Sequence, residues 1–214
     1  FIALEARTLF DGSAIFDASL MLDANDGSDV LALDSLSQTA GFESAANAAV
    51  SAVEATILTA NREDLFNIFN GGSESRTAEW DSALDQLQSE MNSGGLVIGV
   101  GFVSDSGMNG AYGAFAAEGP DGNPAIFMNS DWLASASTED VSRVIVEELG
   151  HFIDSRMNGS NDSAADEGEA FANAILGVSL SDAEQARISD ENDSGSVVLG
   201  EEIFSVEESA QTVF

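Results

Sequence analysis

The chain has 214 residues, 44% of them hydrophobic, with 38 Asp and Glu against six basic residues, all Arg, and a formal net charge of −32. That balance repels nucleic-acid phosphates and anionic membranes, and no window reaches the ~20 consecutive apolar residues that cross a bilayer. It attracts divalent cations, and its self-repulsion is tolerable in high salt or millimolar calcium, which predicts a secreted, extracellular or cell-surface setting.

Residues 1–35 read as an extended N-terminal segment, opening Phe1-Ile2-Ala3-Leu4-Glu5-Ala6-Arg7 and continuing Leu9-Phe10-Asp11-Gly12. With Leu4, Glu5, Arg7, Leu9, Phe10, Asp11 and Gly12 matching and Ala6 in place of proline, it resembles the L-E-P-R-x-L-F-D-G-A segment near the start of long, repeat-bearing bacterial surface proteins and adhesins. An apolar run of this kind must dock on something. It either covers a sheet edge of its own chain or adds a strand to another copy, which implies a homo-oligomer. Phe1 in place of Met, with no cleavable leader, predicts a processed or excised piece of a longer parent.

Residues 36–214 read as a single α+β domain. Ser44 to Ala60 is Ala-rich, with Val50, Val53, Ile57 and Leu58 at helical period. Arg62 to Phe69 is a short helix before Gly71-Gly72. Thr77 to Met91 places Trp80, Leu84, Leu87 and Met91 on one face and stops at Gly94-Gly95. The period then changes to that of strands: Leu96 to Val103, a second strand near Ala111 to Ala117, and Ala125 to Asn129, with a turn at Gly119 to Asn123. The glycines from Gly99 to Gly113 lack the Lys of a phosphate loop and do not open a helix, which argues against a nucleotide site.

A loop leads into a helix starting at Ser137 or Thr138, and Val141 to Met157 (VSRVIVEELGHFIDSRM) holds the only histidine of the chain. At ~100° per residue, Val141, Ile145, Leu149 and Phe152 share an apolar arc. Glu148 falls inside that arc, and a buried carboxylate needs a reason. Glu147 and His151 are four apart and share a face, with Asp154 one turn on. Gly150 in a helix interior costs ~1 kcal/mol relative to Ala and marks a close approach by another backbone or a substrate. Residues 164–176 form a following helix, begun by Asp166-Glu167-Gly168-Glu169.

The pentad Glu147-Glu148-Leu149-Gly150-His151 resembles the H-E-x-x-H of zincin metalloproteases, with glutamate in place of the first histidine. The pattern E-E-[L/I]-G-H-x-x-D followed by D-E-G-E-x-F-A is similar to a module of large secreted calcium-binding bacterial proteins. The resemblance implies a divalent metal, zinc above all, on Glu147, His151 and either Glu169 or Asp166, with Glu148 as catalytic base acting on a peptide substrate. Two plainer readings stand beside it: an ordinary surface pair of Arg143 with Glu147, and a salt-adapted fold in which Glu148 pairs with Arg143 or Arg156.

Ser181 to Glu184 is a capping box opening one more short helix. Asp190, Asn192, Ser194, Gly195 and Glu201 fit the spacing of an EF-hand loop, and Asp190, Asn192, Asp193 and Glu201 are the calcium candidates. The flanks favour instead a C-terminal β-hairpin over 195–207. The expected architecture is several helices on a small, mostly antiparallel sheet with a zincin-like helix–strand core. The expected function is a metalloprotease-like module of a bacterial surface protein, or, as the alternative, a non-catalytic adhesion or self-assembling subunit using calcium and N-terminal strand exchange.

Overall fold

The computed structural model describes residues 41–159, 165–191 and 193–209, with backbone alone over 16–17 and 36–40. Expectations for 1–15, 18–35, 160–164, 192 and 210–214 lie outside the described residues. The chain runs β1 (Phe16–Asp17), α1 (Leu36–Thr59), α2 (Arg62–Ile68), α3 (Ala78–Ser93), β2 (Ile98–Val103), β3 (Gly113–Ala116), β4 (Ala125–Asn129), α4 (Ser130–Leu133), α5 (Thr138–Asn158), α6 (Glu167–Leu176), α7 (Asp182–Asp190), β5 (Ser194–Leu199) and β6 (Glu202–Glu208). It is an α+β fold on one mixed sheet of order β1-β2-β4-β3-β6-β5. The β1–β2 and β2–β4 ladders are parallel and the other three antiparallel.

Side chains alternate across a strand, and here each face has its own cover. Ile98, Val100, Phe115, Ile126 and Met128 point to the helices, where α1 contributes Val50, Val53 and Ile57 and α5 contributes Ile145, Leu149 and Phe152. Ala114, Ala116 and Phe127 point the other way, against Val103, Met108 and the hairpin residues Val197 and Val206. Among the described residues no helix is long and apolar enough to cross a membrane.

The local signals act as their chemistry demands. Ser137 caps α5 by accepting from the Asp140 amide at 3.1 Å, the Ser181–Glu184 capping box forms, and Gly94 ends α3 in the left-handed conformation at φ 65°. Two elements differ from expectation. Helix α1 starts at Leu36 rather than Ser44, running through Gly41 because Phe42 beyond it is anchored edge-on to Phe102 at 5.1 Å. The loop before α5 contains α4, because buried Asn129 accepts from the amides of Asp131 and Trp132 while donating to Ala111 O and Asp105 Oδ1, both at 2.9 Å.

Gly150 marks the closest approach of α5 and α6, as its place in a helix interior predicts. A Cβ there would meet Gly168 Cα at 2.8 Å, and one on Gly168 would run into the His151 ring and into Glu147 O at 2.7 Å. Two facing glycines therefore set the distance at which α6 delivers its carboxylates. Gly150→Ala, which on helix propensity alone gains ~1 kcal/mol, is expected instead to lose about 1–3 kcal/mol because backbone cannot yield as a side chain does; urea unfolding of the variant measures the sign.

Candidate metal centre

Helix α5 turns Glu147, Glu148, His151 and Asp154 inward, all buried. Glu148, at 0% exposure, lies against β3 at Gly113, where a Cβ would stand 2.5 Å from its Oε1. Ser209 closes over it: the Ser209 amide donates to Gly113 O at 3.2 Å and its hydroxyl to Glu148 Oε1, while Glu148 Oε2 has no hydrogen-bond partner. Ser209 takes the place that the salt-adapted reading gave to an arginine; Arg156 pairs with Glu90 at 2.6 Å and Arg143 donates to Asn173 at 2.9 Å.

His151, 1% exposed, is the hub. Its Nδ1 faces the hairpin, 3.0 Å from Glu207 Oε2 and 3.5 Å from Asp193 Oδ2, and its Nε2, without a hydrogen-bond partner, stands 3.7 Å from Asp166 Oδ1. Glu207 arrives there by strand register. It pairs with Phe115, directly opposite residues of an antiparallel ladder share a face, and the Phe115 ring packs edge-on against Phe152 of α5 at 6.0 Å.

Asp166 caps α6 through Oδ1, accepting from the Glu169 amide at 2.6 Å, which leaves Oδ2 buried and unpartnered. Glu169 accepts from Arg187 at 2.5 Å through Oε1, and its Oε2 is likewise unpartnered. Two groups result whose ligand atoms lie within 4.8 Å of one another: His151, Asp193 and Glu207, and Asp166, Glu169 and Glu191. Buried imidazole and carboxylate groups are thus placed so that they could hold a metal ion, and the unpartnered buried atoms, each expensive to desolvate, fit such a partner.

Of the residues expected from sequence, His151 falls in the first group and Asp166 and Glu169 in the second, with His151 Nε2 3.7 Å from Asp166 Oδ1 between them, and neither group includes Glu147. Glu147 is buried beside them within the field of Asp166, Glu148 and Glu169. The EF-hand spacing does not become a loop. Asp190 ends α7, Asp193 joins His151, and Glu201 sits exposed in the hairpin turn, about 20 Å from Asp193 by the length of a six-residue strand. Glu207, Glu191 and Ser209 carry no local signal in the sequence that marks them for the site. Glu207 reads as the polar phase of an alternating strand, and only the pairing with Phe115 shows that this phase faces α5.

Burial sets the protonation of the centre. It pushes Glu148 up to about 8 against the fields of His151 and the Ser209 hydrogen bond. Burial raises Glu147 well above the usual carboxylate range, reinforced by Asp166 and Glu148, and raises Asp166. For His151 burial opposes the charge, but the hydrogen bond to Glu207 and the charges of Glu148 and Asp166 lift the ring well above its ordinary value.

Comparison with known proteins finds no matching family model, no matching curated protein and no matching solved structure.

Groups whose folded pKa is raised bind more protons folded than unfolded, so their stabilising contribution is complete below the unfolded value and is lost as pH rises through the folded one. In chelator, the thermal midpoint is therefore expected to fall as pH rises from about 5 to about 9, each unit of difference in Glu148 being ~1.4 kcal/mol. Glu148→Gln should flatten that slope; a midpoint that climbs with pH would contradict it.

Proposed function

We propose that this chain is a metal-binding, metalloprotease-like module of a secreted bacterial surface protein. The observation that carries the reading is the placement of the only histidine: buried, with its Nδ1 3.0 Å from Glu207 Oε2 and 3.5 Å from Asp193 Oδ2. Two ligand atoms on a tetrahedral zinc at ~2.0–2.1 Å lie roughly 3.3 Å apart, close to the 3.5 Å between His151 Nδ1 and Asp193 Oδ2. His151, Asp193 and Glu207 are the residues to hold zinc, a set that takes its carboxylates from the hairpin segment and leaves out Glu147. Zinc bound there would supply Lewis acidity. Glu148, held near neutrality by burial, has the pKa of a proton carrier for peptide hydrolysis.

Ser209 supports the second reading, a non-catalytic adhesion or self-assembly subunit. Its hydroxyl occupies Glu148 Oε1, and a peptide can reach that carboxylate only if the chain beyond β6 moves away. In this reading the same cation clamps the hairpin to α5. The sheet edge at β2, where the N-terminal segment pairs over Phe16–Asp17, is where other copies would exchange strands.

Elemental analysis of the purified chain, loaded with zinc and dialysed, is expected to give about one zinc per chain. His151→Ala and Glu207→Gln should each lose it, and Glu148→Gln should keep it. Zinc retained by His151→Ala would overturn the metal centre. Proteolysis of an unfolded protein substrate, abolished by Glu148→Gln with zinc in place, selects the peptidase reading; zinc binding with no proteolysis selects the structural one.

A further inference from the structure

Asp166, Glu169 and Glu191 form a group that the His151 centre does not use. Their oxygens come from three points of the chain: the cap of α6, its first turn and the residue after α7. Two of the three, Asp166 at 0% exposure and Glu169 at 4%, each carry an oxygen buried without a hydrogen-bond partner. Glu191 Oε2 and Glu169 Oε1 both receive Arg187, whose guanidinium is 41% exposed. One monovalent charge thus stands against three carboxylates, and Asp166 Oδ2 and Glu169 Oε2 receive no hydrogen bond from it.

We propose that Asp166, Glu169 and Glu191 are a second, oxygen-only cation site, fitted for calcium, which the Arg187 guanidinium holds until a calcium ion displaces it. The donors decide the ion. The group contains no nitrogen or sulfur, and hard oxygen sets select calcium, magnesium or manganese over zinc. Coordination habit decides among these. Calcium accepts irregular sets of protein oxygens at about 2.3–2.6 Å, whereas magnesium demands near-ideal octahedral geometry and keeps several waters; the three ligand atoms here, within 4.8 Å of one another, come from separate points of the chain and two of them are buried.

Arg187 suits the part of a displaceable counter-charge. It sits on α7, half in solvent, so its head can leave for water at little desolvation cost. Both carboxylates it releases then become ligands. Calcium would fix α7 to the start of α6, where Asp166 N already donates to Ile188 O at 3.0 Å. Since Asp166 Oδ1 is committed to the Glu169 amide and faces His151, Oδ2 is its ligand atom here.

Calorimetric titration of the zinc-saturated 214-residue chain with calcium chloride tests this. The wild-type chain should show one site of about 10⁻⁴ M or tighter above the weak binding of its acidic surface. Glu191→Gln should weaken that site about tenfold or more while zinc content is unchanged. Arg187→Gln, by removing the competitor, should tighten it about tenfold, and Arg187→Lys, which keeps a charge but loses the two-pronged grip, should fall between. A purely structural Arg187–Glu169 pair predicts no gain in calcium affinity from either arginine variant. Calcium bound as tightly by Glu191→Gln as by the parent, or no gain on removing Arg187 from a chain with unchanged circular dichroism, overturns the proposal. Calcium retained by His151→Ala supports it whatever that variant does to zinc, so the two sites are judged separately.

Discussion

The structure turns on one imidazole kept out of water among more carboxylates than it can neutralise. Around His151 lie Glu147, Glu148 and Asp166, all buried, with Glu207 and Asp193 on the hairpin side. Taking one uncompensated carboxylate out of water costs several kcal/mol, so a core that gathers several is stable only when protons or a cation share their charge. The raised pKa of Glu148, Glu147 and Asp166 is the proton solution to that problem. The cation solution has two places to enter: the Nδ1 side of His151 with Asp193 and Glu207, and the unpartnered oxygens of Asp166 and Glu169.

Much of the remaining packing can be understood as bringing these groups to one place. The glycine crossing of α5 and α6 lets the α6 cap reach the ring. The pairing of Phe115 with Glu207 turns a hairpin carboxylate inward, and Gly113 leaves room on β3 for Glu148. Because His151, Asp193 and Glu207 come from α5 and the hairpin segment, a cation held by them would tie together elements far apart in the chain. That coupling is the same whether Glu148 works on a peptide or stays beneath Ser209.

What could be read in advance is what depends on short stretches. The period of Val141 to Met157, the inward position of Glu148, the caps at Ser137 and Ser181, and the close approach at Gly150 are all local, and each appears as the residues indicate. The hairpin after Asp193 also prevails over the EF-hand spacing, because Val197 and Val206 alternate into the core opposite Phe127. Glu207, Glu191 and Ser209 could not be read this way. Each reaches the centre through a contact set by pairing or packing of distant segments, and the polar phase of a strand looks the same on paper whether it meets water or a buried ring. Helical spacing places Glu147 on the face of His151, whereas the carboxylates at 3.0 and 3.5 Å from its Nδ1 come from the hairpin segment, a proximity that local spacing does not encode.

X-ray absorption at the zinc edge of the zinc-loaded chain tests the central claim most directly. The account predicts a light-atom shell at about 2.0–2.1 Å with the outer-shell scattering of a single imidazole and the remainder oxygen. An all-oxygen shell with no imidazole signature would contradict it, because the buried ring would then be a structural hydrogen-bonder and the carboxylates around it would need another explanation.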